Sequence, residues 1–319
     1  MCRFRAGCVN WHSIDSLPGM RGYVALLLLL AAIWGASFMF IKIAVDELAP
    51  TTTMALRLVF SAFPLLAIVF VKRGVRPATI EMRSIVVPAM VLGVFSTALP
   101  FTLIAWGETR IDSGVAAIGN ASMPIFVALL ALRFRRTERA TGARLFGVVL
   151  GLIGVAVLAG VDPKGGWAGF VGTLAVVAAS ISYAIATLYT QTLLDTVHND
   201  VLAAFSVTWG MVWLLPLGVI QAPSHWPGWE VIAAVLALAL LGTVAGQLIY
   251  FRMIYSYGSA RASLVVYLLP VTALIYGAVL LGETVTTSAL AGLVLILTGT
   301  ALGSGLLRLR RRAPVPASP

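Results

Sequence analysis

Residues 113–124 read SGVAAIGNASMP, and residues 259–270 read SARASLVVYLLP. Superposing Pro124 on Pro270 sets Ser113-Gly114-Val115-Ala116 against Ser259-Ala260-Arg261-Ala262. One gap in the loop that follows then sets Glu138 against Glu283, Gly147 against Gly292 and Gly154 against Gly299. Order and spacing persist through three consecutive apolar runs, so the chain reads as an internal repeat.

Working outward, apolar runs fall at about 22–45, 51–71, 85–107, 113–133, 143–161, 169–192, 201–221, 231–254, 260–281 and 287–307. Each approaches the roughly 20 residues that a helix needs to cross the hydrocarbon core of a bilayer. Continuous runs of this kind exclude a β-barrel, whose strands are shorter and alternate in polarity. Helices remain, because lipid offers no partner for a free backbone amide. The expected fold is therefore an all-α membrane protein of ten transmembrane helices. Five spans per repeat is an odd number, so the second copy is predicted to enter the bilayer reversed. The expectation is two inverted five-helix repeats, residues 22–161 and 162–307, around a central cavity. Residues 1–21 read as a disordered N-terminal extension, or an overextended start, and residues 308–319 as a basic cytoplasmic tail.

Composition supports a membrane chain. The 319 residues are 60% hydrophobic and 11% charged, with mean hydropathy +0.99; soluble domains carry about 25% charged residues. The formal net charge of +10 does not indicate nucleic-acid binding. The positive residues sit in short clusters between apolar runs instead of spreading over one soluble face. With the N-terminus inside, 18 of the 22 Lys and Arg fall in internal segments, three fall outside (Lys42, Arg110 and Lys164), and Arg57 lies within a span. The positive-inside rule then predicts an inner-membrane protein with both termini in the cytoplasm. Cys2, Cys8 and three scattered histidines build neither a disulfide framework nor a metal site. No phosphate-binding loop or catalytic set is visible, so neither an enzyme nor a cofactor is expected.

Trp34-Gly35-Ala36-Ser37-Phe38, Pro50 followed by Arg57, Leu281-Gly282-Glu283, and Gly292 to Gly299 together resemble the EamA-type branch of the drug/metabolite transporter superfamily. The resemblance covers about residues 22–307. It implies ten helices in two inverted repeats, a central cavity, and export of amino acids or other small metabolites. Ser182-Tyr183 stands where members of the family often place a tryptophan.

Candidate ligand contacts follow from helical spacing. Trp34, Ser37, Phe38 and Ile41 share one face of the first span; the alternative for the two rings is packing between helices or an interface belt. Ser180, Tyr183, Thr187 and Gln191 form a polar stripe that should avoid lipid, facing either a cavity or a neighbouring helix. Thr243, Gln247 and Tyr250 share a face of the eighth span, and Gln247 aligns with Phe101. Asn120 and Tyr267 precede Pro124 and Pro270, which are the candidate hinges because proline removes a backbone hydrogen bond. The predicted substrate contacts are therefore Trp34, Ser37, Phe38, Phe101, Asn120, Tyr183, Thr187, Gln247, Tyr250 and Tyr267. Lys42 is expected to snorkel to the outer interface. The reading is a secondary transporter that exports amino acids or related small metabolites by alternating access. A lipophilic-cation exporter is the alternative, with a channel or a membrane-anchored sensor or enzyme behind it. The partners are a small-molecule substrate and the bilayer, and monomer and homodimer both stay open.

Overall fold

The computed structural model describes residues 20–134, 142–160, 166–193 and 197–303. Glu138, the basic tail and nearly all of the expected N-terminal extension lie outside them. Among the described residues there is no strand. The helices are α1 Met20–Val45, α2 Pro50–Arg73, α3 Val75–Ser84, α4 Val86–Glu108, α5 Ser113–Asn120, α6 Met123–Phe134 and α7 Ala143–Gly160. They continue as α8 Gly166–Gln191, α9 Asn199–Ile220, α10 Trp229–Tyr257, α11 Ser259–Ala262, α12 Val265–Leu280 and α13 Thr287–Gly303. Among the described residues, seven segments are long and apolar enough to cross a membrane: α1, α2, α4, α5 with α6 to Ala131, α8, α9 and α10. Three shorter apolar helices occupy Leu145–Ala159, Val265–Leu280 and Thr287–Gly303.

The surface between the helix ends is built for lipid. Leu28, Phe63, Val71, Ile153, Val279 and Val294 are all exposed, where water would penalise each of them. Exposed Trp167, Trp226 and Trp229 sit at loop-proximal ends, where amphipathic rings favour the membrane interface. The core lies between helices, around fully buried Leu30, Met54, Leu58, Ile118, Leu238, Met253 and Ile296.

The segment between α2 and α4, which falls outside the apolar runs, contains a further helix. Gly74 turns the chain at φ 84°, a conformation that suits a residue without Cβ. One turn apart on α3, Ala78 and Met82 are buried, while Arg76 and Arg83 point away as exposed groups. Ten residues, half of them polar, leave too little apolar signal to announce such a helix.

Two packing relations recur with the halves exchanged. The α1 helix packs on α12 and α10, while α8 packs on α5, α6 and α4. The α7 and α13 helices run antiparallel along a glycine seam. A Cβ on Gly147 would stand 2.7 Å from the Gly299 carbonyl, and one on Gly292 would stand 3.3 Å from the Gly154 carbonyl. Since Gly147 aligns with Gly292 and Gly154 with Gly299, each contact is the counterpart of the other. Small residues at these contacts let membrane helices approach backbone to backbone.

The α4 and α10 helices each widen into a π-helical stretch, at Gly93–Ala98 and Leu238–Ala245. Shifting the first by the spacing between Pro124 and Pro270 lands it inside the second. Glycine allows the neighbouring helix to come close at both places: Gly93 faces Trp209 and Gly210 of α9, and Gly242 faces Ser37 of α1. Widened turns loosen the ordinary ladder and free carbonyls for outside partners. Trp34 Nε1 donates to the Gly242 carbonyl at 3.1 Å, and Ser182 Oγ donates to the Phe95 carbonyl at 2.9 Å.

Candidate functional site

The interior gathers around the π stretch of α10. Leu238 O, five residues back along the π stretch, accepts the Thr243 hydroxyl at 3.2 Å. With its proton committed there, Thr243 Oγ1 accepts Arg57 Nε of α2 at 3.0 Å. The Arg57 guanidinium lies 3.9 Å above the Phe101 ring of α4, a geometry that attracts a cation to the face of an aromatic ring. Arg57 is only 7% exposed. One of its terminal nitrogens, Nη2, lies beside Gly242, whose carbonyl holds the Trp34 indole.

Two aromatic pairs flank this cation. Trp34 and Tyr250 have ring centroids 5.4 Å apart at 44°. Phe101 and Tyr183 stand 6.4 Å apart, edge to face, at 64°. Each pair joins one residue from the first half of the chain to one from the second. Gly246 has no room for a Cβ because the Trp34 indole occupies that space. Ser37, also buried, turns its hydroxyl back to the Ile33 carbonyl at 3.1 Å, and Phe38 is a core residue at 5% exposure.

The other expected contacts divide. Gln247 and Thr187 are half-buried; Gln247 follows directly on Gly246, and Thr187 lies one turn beyond Tyr183. The polar stripe of α8 is not uniform. Ser180 donates to the Gly119 carbonyl at 3.2 Å and contacts the Asn120 carbonyl at 3.4 Å, tying α8 to α5, while Gln191 is exposed. Asn120 keeps a buried Oδ1 with no hydrogen-bond partner. Tyr267 is half-buried on α12.

The prolines act differently from each other. Ahead of Pro124 the helix is interrupted between Asn120 and Met123, and the carbonyl of Gly119 is taken by Ser122 Oγ at 2.6 Å and by Ser180. The Asn120 carbonyl, which Pro124 cannot bond, meets the Ser180 hydroxyl at 3.4 Å rather than an open space. Pro270 lies inside continuous α12, and the interruption falls earlier, at Ser263 and Leu264. Lys42 is engaged by the chain itself. Its ammonium donates to the carbonyls of Glu108 at 2.6 Å and Ile111 at 2.9 Å, closing the end of α1 onto the turn after α4. Glu283 reaches across to α5, accepting from Ser113 N at 2.8 Å, Ser113 Oγ at 2.8 Å and Gly114 N at 3.2 Å. A carboxylate there complements the positive end of the helix dipole.

A groove of about 630 Å³ lies elsewhere, between α2, α9 and the start of α10, walled by Leu48, Phe60, Leu215, Val219 and Trp226 among others. None of the expected substrate contacts lines it. Among the described residues no cluster of metal-ligating side chains occurs.

Long apolar helices around an interior of aromatic rings and one fixed cation define a multi-pass membrane protein with a polar interior. The profile of the EamA-like transporter family matches residues 21–160 and again 170–304. The chain belongs to that family, whose members are transporters and not enzymes. It is 30% identical over 305 residues to a probable terminal-alkyne amino-acid exporter of Streptantibioticus cattleyicolor, covering 91% of this chain and 96% of that one. A probable amino-acid metabolite efflux pump of Salmonella typhimurium is 29% identical over 306 residues, covering 92% and 98%. An uncharacterized transporter of Archaeoglobus fulgidus is 28% identical over 274 residues, covering 86% and 95%. A solved crystal structure superposes with TM-score 0.60 at 17% identity, covering 90% of this chain and 98% of the other; that likeness concerns the fold alone.

Arg57 was visible in the sequence as the deepest charge but was not among the expected substrate contacts. Its signal was there: an arginine seven residues into an apolar span, with no acidic residue mid-span to answer it.

Proposed function

We propose that this chain is a secondary transporter of the inner membrane that exports amino acids or closely related small metabolites by alternating access. In this reading residues 22–161 and 162–307 form inverted five-helix repeats, and both termini lie in the cytoplasm. The observation that carries it is the pair of aromatic contacts, Trp34–Tyr250 and Phe101–Tyr183, each bridging the two halves around the interior. A ligand between them touches both halves at once, so its binding can bias how they rock. The matched π stretches and the reciprocal glycine seam support the inverted arrangement. The names of the relatives from Salmonella and Streptantibioticus support amino-acid-like cargo. The fixed guanidinium works against a lipophilic cation, because like charge is disfavoured in a desolvated site.

Trp34, Phe101, Tyr183, Gln247 and Tyr250 are the first-ranked contacts, with Ser37, Phe38, Asn120, Thr187 and Tyr267 around them, and Pro124 and Pro270 mark where the helices give. The test is counterflow in proteoliposomes holding the purified full chain. Vesicles preloaded with an unlabelled amino acid should transiently accumulate its labelled form, and the rate should saturate. Tyr183→Ala and Gln247→Ala should each weaken that exchange at unchanged membrane abundance. Unsaturated flux, or full exchange in both variants, would overturn the reading. Accessibility labelling that put residues 138 and 283 on one side of the membrane would overturn the inverted arrangement.

A further inference from the structure

The Arg57 guanidinium is held in a way that leaves a job undone. Nε is used by Thr243 and one face is covered by Phe101. The two terminal nitrogens have no hydrogen-bond partner among the described residues, and Arg57 forms no ion pair there. The carboxyl group that acts on it electrostatically, Glu108, lies about two turns along α4 from Phe101, and its own oxygens meet no donor. Arginine cannot discard its charge, and a buried charge demands an anion, a carbonyl or water. Here the chain supplies the clamp and omits the anion.

We propose that Arg57 is the carboxylate-binding residue of the interior site, and that the cargo is a carboxylate-bearing molecule. The inference rests on the transporter reading above and narrows its substrate class. The planar fork of the guanidinium matches the two oxygens of a carboxylate through parallel N–H···O bonds. Its orientation is fixed before any ligand arrives. Leu238 O aligns the Thr243 hydroxyl, Thr243 aligns Nε, and the Phe101 ring sets the plane. Little side-chain freedom is therefore lost on binding. The open edge lies beside Gly242, close to Ser37 and to the Trp34 indole, so the rest of the ligand falls among the aromatic walls. Thr243 is a positioning residue in this scheme and does not touch the ligand.

The experiment compares three matched probe sets on the purified full chain, using the thermal unfolding midpoint. These are the twenty common L-amino acids, their C-terminal amides, and the corresponding 2-oxo acids. A ligand that binds only the folded state raises the midpoint. One or more free acids should raise it, while the matching amide at equal concentration should not. Arg57→Gln should weaken that acid roughly 10–100-fold, and Arg57→Lys, which keeps the charge without the fork, roughly 10-fold. If Arg57→Gln does not fold, Arg57→Lys decides. Amides that shift the midpoint as much as acids, or full affinity in either variant, would overturn the carboxylate site and leave the transporter reading standing. Shifts from oxo acids alone would keep the site and overturn amino-acid cargo. Silence from all three sets overturns both.

Discussion

Replacing Thr243 with valine removes a hydroxyl at almost constant shape, which isolates the relay from Leu238 to Arg57. Two hydrogen bonds disappear. The bond from the Arg57 Nε, at 3.0 Å, is charge-assisted and contributes about 1.5–3 kcal/mol. The bond from Thr243 to Leu238 O, at 3.2 Å, is an ordinary membrane hydrogen bond of about 0.6 kcal/mol. No cavity forms, so the expected loss is about 2–3.5 kcal/mol. Titrating the full chain from mild detergent into sodium dodecyl sulfate, followed by far-ultraviolet circular dichroism, reads that loss directly. Thr243→Ser is the control: it keeps the hydroxyl and loses a methyl, about 1 kcal/mol from packing. Valine should therefore be clearly worse than serine. A valine variant as stable as the parent, or a serine variant as damaged as valine, would refute the relay.

Three further outcomes are expected. Gly299→Leu should cost about 3 kcal/mol or more in the same titration, because a Cβ there would stand 2.5 Å from the Gly151 amide and 2.6 Å from the Gly147 carbonyl. Gly303→Ala, whose nearest neighbour is 3.7 Å away, should cost far less. Trp34→Phe keeps a ring against Tyr250 but loses the bond to Gly242, so it should cost about 1 kcal/mol, whereas Trp34→Ala should cost about 3–5 kcal/mol. Asp200→Asn breaks the paired contacts with Arg73, the shortest 2.6 Å. With both side chains about a quarter exposed, the loss should stay below about 1 kcal/mol and fade in molar salt.

The long helices were legible because lipid imposes one requirement, an unbroken apolar run, and the sequence meets it. The α3 helix was not, since its burial rests on Ala78 and Met82 alone. The π stretches carry no local signature; Gly93 and Gly242 become meaningful only when α9 and α1 are seen pressing against them. Trp34 with Tyr250 and Phe101 with Tyr183 were readable as separate candidates because aromatic residues at helical spacing stand out. Their pairing across the halves was not readable, because it depends on which helices touch. The stripe on α8 misled in part: the spacing of three and four is the same whether Ser180 faces a cavity or ties to α5. Arg57 was conspicuous, yet its role depends on Thr243 and Phe101, which come from two other spans.

The two crossings onto the π stretches use unequal side chains, an indole from Trp34 and a short hydroxyl from Ser182. A perfectly mirrored machine would rest equally in either of its two postures. Swapping a bulky donor for a small one at the two crossings tips that balance, and a tilt of about 1.4 kcal/mol makes one posture ten times more populated than its mirror image. If the two halves rock as proposed, they acquire in this way a preferred parking position through a single mismatched pair of anchors. Exchanging Trp34 and Ser182 between the halves would then relocate the idle state, and at Trp34 it would alter the cargo wall as well.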